Sequence, residues 1–266
     1  MVLPPDYHMH TPLCRHAEGE PTEYAAQAAR IGLTEIGFTE HAPMPDDDFD
    51  DWRMLEQELD VYIEKIDQAA AENPTVTVRK SLEIDFVPGY EDWARDLAKR
   101  YNWDYLIGSV HYIGDKWSFD HPDKRDSWKG RDVDAAWAEY FETLTRSAAL
   151  GLFDIIGHCD LIKLFGHRPS VDSSAMWRPF LDEVKRQDAA IEINTNGLNK
   201  PCSEMFPAPE LLELAAETGV GLTFGSDSHR PSRVGEQFDQ AVALAKRCGF
   251  TKYRRFAEGR YESIPF

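Results

Sequence analysis

Apolar residues along this chain follow two alternating spacings. Short apolar or period-two runs at 35–39, 76–84, 105–110, 153–157, 190–194 and 221–225 predict strands. Between them, apolar residues recur at helical spacing. Pro21-Thr22-Glu23 opens a helix to about Ile31, with Thr22 or Glu20 near its cap and Gly32 as its stop. Leu55, Leu59, Tyr62, Ile63, Ile66 and Ala70 predict an amphipathic helix over 52–72, ended by Asn73-Pro74. Further helices are expected from about Glu91, around Trp137 to Ala148, around Met176 to Val184, over 209–217 and over about 235–247. Tyr253, Phe256 and Ile264 suggest an extended tail, and 112–131, which has no clear period, reads as a long functional loop or lid.

With residues 6–8 counted as the first strand, seven strands alternate with helices. Strict alternation argues for an α/β fold on a parallel sheet, either open or closed as a barrel. An open doubly wound sheet should carry a Gly-rich phosphate turn after a strand, and none is present. A barrel is therefore expected, with residues 1–266 as one domain. At 266 residues and 42% apolar composition, the chain has the material for such a core.

Composition narrows the function. The net charge of −18 repels nucleic-acid phosphates, so no nucleic-acid partner is expected. It does not forbid a small phosphorylated substrate, because bound metal ions dominate the field inside a pocket. No apolar run is long enough for a membrane span, and Met1-Val2-Leu3-Pro4-Pro5 shows no signal-peptide pattern. Cys14, Cys159, Cys202 and Cys248 are scattered without a Cys-x-x-Cys pair, which fits a reducing cytoplasm. The acidic runs Asp46-Asp47-Asp48 and Asp50-Asp51 read as solvated loop.

The predicted strand ends collect the chemistry. His8 and His10 follow the first strand, His41 the second, and Glu83 lies at the end of the third. His111 ends the fourth and His158 the fifth, while Asp227 and His229 follow the seventh. With His16 in the first of these loops, seven of the nine histidines lie at strand ends or just beyond them. Barrels of this class build their sites at the carboxyl ends of the strands. A bend at the end of the first strand is expected to converge His8 and His10 on one ion. The whole set exceeds one tetrahedral site, so two or three ions are expected, bridged by Glu83 and Asp227. Imidazole with carboxylate suits zinc, iron or manganese. Cys14 and Cys159 lie beside these residues and are weaker candidates.

These positions resemble the metal-binding pattern of the polymerase and histidinol phosphatase (PHP) superfamily. The resemblance rests on His8-x-His10, His16, Thr39-Glu40-His41, Glu83, Ser109-Val110-His111, Gly157-His158 and Gly225-Ser226-Asp227-Ser228-His229, and it covers nearly the whole chain. The flanking stretches Thr11-Pro12-Leu13-Cys14-x-His16, Gly37-Phe38-Thr39-Glu40-His41-Ala42-Pro43 and Glu192-Ile193-Asn194-Thr195-Asn196-Gly197-Leu198 resemble its histidinol-phosphate phosphatase branch. The resemblance implies a distorted seven-stranded β/α barrel with a cluster of three divalent or mixed-valence ions. His8, His10, Glu83 and Asp227 would hold the first ion. His16, His41 and His229 would hold the second, and His111 and His158, with Glu83 bridging, the third.

The implied activity is hydrolysis of L-histidinol phosphate to L-histidinol and phosphate in histidine biosynthesis. Asp227, His229 and Glu83 would act through the metals and a bridging hydroxide. Lys163 stands where the family often has arginine and is the leading phosphate-binding candidate. Asn199 also stands where arginine is common, with Lys200 beside it as a substitute; Arg15 and Arg230 carry less weight. The general acid stays open between Asp160 and a metal-bound water. His121 and His167 fall in overhanging loops, and Trp117 and Phe119 are expected to pack within theirs. Two other functions stay open: a PHP phosphoesterase with another substrate, such as a sugar phosphate or a nucleotide, and a non-catalytic metal-binding domain. The oligomeric state is not legible.

Overall fold

The computed structural model describes residues 3–266. Six parallel strands form its main sheet, in the order β1 (Glu35–His41), β2 (Thr77–Asp85), β3 (Ile107–Ser109), β6 (Ile155–Ile156), β7 (Ala190–Asn194) and β8 (Gly221–Gly225). Every residue of β1, β3, β6 and β7 is buried, as expected of a parallel sheet covered on both faces. The intervening helices are α1 (Pro21–Ile31), α2 (Leu59–Glu72), α3 (Glu91–Arg100), α4 (Val133–Ala149), α5 (Ser174–Arg186), α6 (Pro209–Thr218) and α7 (Phe238–Arg247). The result is a curled parallel sheet of the TIM-like α/β class. No helix among the described residues is long and apolar enough to cross a membrane.

The expected first strand is not a member of this sheet. Residues 6–10 instead touch both of its edges. Asp6 and Met9 form isolated parallel bridges to Ile36 and Ser228. On the β1 side, Gly37 N and Thr39 N donate to Asp6 O and Met9 O at 2.8 and 2.9 Å. On the β8 side, Tyr7 N and His10 N donate to Phe224 O and Ser228 O at 3.0 and 2.9 Å. Below the strands, Tyr7, Tyr105, Ile107, Ile155, Ala190 and Phe256 form a separate buried cluster. Ile107, Ile155 and Phe256 each contribute roughly 1.5–3 kcal/mol on burial.

Local sequence explains the helix ends. Pro21 opens α1, Glu20 and Glu23 cap one another's backbone, and Gly32 closes it at φ 81°. The helix expected over 52–72 begins only at Leu59, after a 3-10 turn at Glu56–Glu58. Trp52 and Arg53 are drawn out of it because their side chains pack beside the strand ends. The helix expected from 235 starts at Phe238, because Gly235 and Gln237 both have positive φ. The 112–131 segment is not a featureless loop. It holds a hairpin, β4 (Tyr112–Ile113) with β5 (Trp117–Ser118), and a 3-10 helix at Pro122–Trp128. Trp117 and Trp128 pack edge-on at 4.8 Å. The tail is a second hairpin, β9 (Lys252–Ala257) with β10 (Arg260–Pro265).

Candidate metal centre

Glu83, at the end of β2, is the hub. Its Oε1 lies 2.9 Å from His158 Nε2, 3.5 Å from His8 Nε2 and 3.8 Å from His111 Nε2. Its Oε2 lies 2.7 Å from His41 Nδ1 and 3.8 Å from His10 Nε2. Asp227, just past β8, turns Oδ1 toward His10 Nε2 at 3.3 Å and His8 Nε2 at 4.0 Å. The His229 ring stacks on that of His10 at 4.2 Å, and His16 Nε2 faces His229 Nε2 at 2.9 Å. The nine side chains singled out in the sequence thus converge. The bend expected between His8 and His10 is unnecessary: residues two apart on extended backbone share a face, and their rings lie 5.2 Å apart.

Imidazole orientation is set from behind. His8 Nδ1 lies 3.0 Å from both oxygens of Glu192. His10 Nδ1 meets Glu40 at 3.3 Å, and His111 Nδ1 meets Asp85 at 2.8 Å. His16 and His229 direct Nδ1 to the carbonyls of Cys14 and Asp227 at 2.8 and 3.0 Å. Each acceptor holds a proton on Nδ1 and turns Nε2 inward, the arrangement that metal-binding histidines use. Glu40 also accepts from Thr11 N at 2.8 Å and from the Thr11 hydroxyl. Asn194 and Asn196 donate to Asp227 Oδ2 at 3.3 and 3.2 Å, which leaves Oδ1 for the cluster.

The donor set fits metal ions. His8 Nε2, His10 Nε2, His41 Nδ1 and Glu83 Oε2 are buried and lack any hydrogen-bond partner. Buried polar atoms without partners are costly, so four in one cluster call for cations between them. His41 Nδ1 and Glu83 Oε2 are 2.7 Å apart without forming a hydrogen bond. Within 4.8 Å, donor atoms group as His8, His10 and Asp227; as His8, Glu83 and His158; as His10, His41 and His229; and as Cys14, His16 and His229. His158 and Asp227 both have positive φ, 24° and 50°, a strained backbone that aims their side chains into the cluster.

Electrostatics divides the imidazoles. Burial works against a charged His8, but the Glu192, Glu83 and Asp227 carboxylates push its pKa well above 6.5. Burial likewise opposes charge on His10 and His111, yet neighbouring carboxylates raise them to about 9 and about 10. Burial and the charge on His10 push His41 and His229 well below 6.5. Burial would raise Glu83, but the surrounding imidazoles hold it well below the usual carboxylate range.

Two glycines are dictated by close approach. A Cβ on Gly225 would lie 2.5 Å from both Glu192 Oε2 and His8 Cβ, and one on Gly157 would lie 2.6 Å from Ser109 Oγ. Beside the cluster is a cavity of about 520 Å³ lined by Asp46, Asp48, Asp50, Phe49, Trp52 and Tyr112 among others. Trp52 is shared between the two, its ring 4.7 Å from His41 and 5.5 Å from His111.

The candidate substrate contacts fare differently. Lys163 is fully buried, and its Nζ is already saturated by Met205 O, Asp160 and Glu204 at 2.7, 2.8 and 2.9 Å. It has no donor left for a phosphate, so the expected contact is corrected to an internal ion pair. Asn199 is turned to Glu236 at 2.9 Å, and Arg15, beside His16, pairs with Glu58 at 2.6 Å. Lys200 is half-exposed, and Arg230 faces Glu18 at 3.8 Å. Asp160 serves Lys163 and Ala208 N. His167 stacks on Trp128 at 4.3 Å, and His121 accepts from Asp123 N. The carboxylates behind the ligands, Glu40, Asp85 and Glu192, have no role in the sequence expectations. Their signal was position: Glu40 precedes His41, Asp85 follows Glu83 by two, and Glu192 sits at the same level on β7.

A family model described as PHP domain matches residues 6–196. The chain belongs to the PHP family. A Deinococcus radiodurans relative named "Probable histidinol-phosphatase" is 42% identical over 238 residues, 89% of this chain and 90% of the relative. The Bacillus subtilis histidinol-phosphatase is 28% identical over 267 residues, covering 91% of this chain and 98% of its own. These relatives place the chain in the histidinol-phosphatase branch. The fold matches the crystal structure of Lactococcus lactis histidinol phosphate phosphatase in complex with Zn, L-histidinol and phosphate. That match has a TM-score of 0.83 at 24% identity and covers 98% of this chain and 100% of the other.

Proposed function

We propose that this chain is a metal-dependent phosphomonoesterase that hydrolyses L-histidinol phosphate to L-histidinol and phosphate. One observation carries the proposal: imidazoles pinned at Nδ1 direct Nε2 atoms, orphaned at His8 and His10, onto Glu83 and Asp227. In this reading three ions sit in the cluster. His8, His10, Glu83 and Asp227 hold the first, His16, His41 and His229 the second, and His111, His158 and Glu83 the third. Zinc suits these ligands, as do iron and manganese. The metal centre lies at the carboxyl ends of the strands of a single domain. Residues 6–10 act as the seventh strand, closing the barrel between β1 and β8.

Bound ions supply Lewis acidity, lowering the pKa of water and neutralising charge on phosphoryl oxygens. The chain's own residues supply geometry. Glu83 offers both oxygens inward and so can bridge. Asn194 and Asn196 hold Asp227 to a single inward oxygen. Trp52 walls the cluster from solvent on the His41 and His111 side. The adjoining cavity, with its aspartates and aromatic rings, has room for a small cationic leaving alcohol. Of the candidate cations, Arg15 and Lys200 keep enough exposure to meet a phosphate, and the exposed Lys116 and Lys124 line the cavity itself.

Phosphate release measured across a panel of monoesters tests the proposal, with L-histidinol phosphate beside sugar phosphates and nucleotides. L-Histidinol phosphate should stand out in kcat/KM. Comparable rates on every member would overturn the substrate assignment, and full activity after exhaustive chelation would overturn the metal mechanism.

A further inference from the structure

Arg53 lies outside every motif singled out in the sequence, yet it is among the most enclosed cations in the protein, 4% exposed. Its guanidinium uses all three nitrogens. Nε meets both oxygens of Asp50 at 3.0 and 2.8 Å, and Nη1 donates to Ala42 O at 2.8 Å. Nη2 donates to Asp85 Oδ2 at 3.0 Å. The same Asp85 turns its other oxygen to His111, accepting from the backbone at 3.2 Å and meeting Nδ1 at 2.8 Å. Both oxygens of Asp85 are therefore committed, one to Arg53 and one to the imidazole. The guanidinium also stacks over Trp52, 4.4 Å from the ring centroid, and that ring packs edge-on against His41 and His111. Tyr112, next to His111, donates to Asp50 at 2.7 Å and closes the circuit.

We propose that Arg53 is a positioning residue that holds His111, through Asp85, with Nε2 aimed at the metal centre, and ties that ligand to the Asp46–Arg53 loop walling the neighbouring cavity. The assignment rests on the metal centre proposed above. With Arg53 in place, Asp85 is held on Nδ1–H, which leaves Nε2 as the nitrogen that ligates once its own proton is displaced. Without Arg53, Oδ2 is freed and Asp85 can rotate away from Nδ1, so His111 loses both its tautomer and its aim. The same change releases Trp52, which couples metal occupancy to the shape of the cavity. The planar fork reaches Asp50, Asp85 and Ala42 O from its separate nitrogens; an ammonium keeps the charge but loses that fixed geometry.

The test loads chelated, metal-free protein with cobalt(II). It follows the visible absorption spectrum and the bound ion count for wild type, Arg53→Met, Arg53→Lys, Asp85→Asn and the Arg53→Met/Asp85→Asn double variant, with melting temperature in parallel. Arg53→Met and Asp85→Asn should each weaken one of the bound ions by about 10–100-fold. The double variant should be no worse than the poorer single variant, because both act along one path. Arg53→Lys should give a smaller loss in the same ion. Where Arg53→Met does not fold, Arg53→Lys decides alone, and wild-type affinity for every ion in that variant overturns the assignment. So do losses that add in the double variant. A wild-type protein that takes up no cobalt removes the metal centre itself, an outcome distinct from failure at Arg53.

Discussion

Replacing Glu192 with Gln changes one atom's chemistry and leaves the volume of the site intact. Oε1 of Glu192 accepts from His158 N at 2.8 Å and from Asn194 Nδ2 at 2.9 Å, both donors. In Glu192→Gln that position must keep the carbonyl oxygen. The amide nitrogen is then forced into the Oε2 position, 3.0 Å from His8 Nδ1. That N–H opposes a proton on Nδ1. The one acceptor left to the ring, at the Oε1 position 3.0 Å away, is already shared with His158 N and Asn194, so Glu192→Gln shifts His8 toward the tautomer with its proton on Nε2. That atom then points an N–H at Glu83 and Asp227 and can no longer ligate. Loss of such an orienting carboxylate costs about 10–100-fold in metal affinity, or about 1.4–2.7 kcal/mol. Losing a charge-assisted hydrogen bond lowers folding stability by a further ~1.5–3 kcal/mol. Metal affinity of the apoprotein is measured by competition with a chromophoric chelator, and stability by urea denaturation. Wild-type affinity for every ion in a folded Glu192→Gln protein would refute the tautomer reasoning.

Gly225→Ala should act on the same pair from the other side. Its Cβ has no space beside Glu192 Oε2 and His8 Cβ, so metal content after dialysis should fall about tenfold or more; full retention would show that the two elements shift apart freely. Metal loading should release protons, because neighbouring carboxylates raise His8 and lift His10 to about 9 and His111 to about 10, and a ligating imidazole must give up its proton. Affinity should therefore fall as pH drops below 9. Calorimetry in buffers of different ionisation enthalpy checks this, and a buffer-independent heat would contradict it. Lys163→Met should cost ~3–5 kcal/mol of stability by leaving Asp160 buried and unpaired. A selective rise in KM with unchanged stability would restore Lys163 as a phosphate contact.

Alternation of spacing made the strands readable, and with them the convergence of His8, His10, His41, Glu83, His111, His158, Asp227 and His229. A parallel sheet gathers whatever stands at the ends of its strands. Periodicity failed where a residue serves the site instead of the core. Trp52 and Arg53 fit a helical pattern that continues into α2, but ring packing and ion pairs at the strand ends hold them outside it. Spacing also carries no information on burial. Lys163 lies a short step past His158, where a phosphate contact is plausible, and only the folded chain shows three acceptors already around its ammonium. Glu40, Asp85 and Glu192 stayed hidden because each sits within a strand, where a lone acidic residue looks like an ordinary strand position. Their function exists only in relation to a histidine from elsewhere in the chain, or, for Glu192, one 184 residues away.

The segment at residues 6–10 is held between the first and last strands of the sheet, and Ser226 N reaches back to Asp6 across 220 residues of sequence. Contacts of such separation carry a loop-closure entropy cost and slow folding. His8 and His10 therefore reach Asp227 only when β8 has docked beside residues 6–10. An ion that arrives earlier finds neither Asp227 in place nor, until β7 pairs, the Glu192 that orients His8. With the ligand set proposed above, full metal capture follows the docking of β8, and hydrolytic chemistry is withheld from a chain that lacks it.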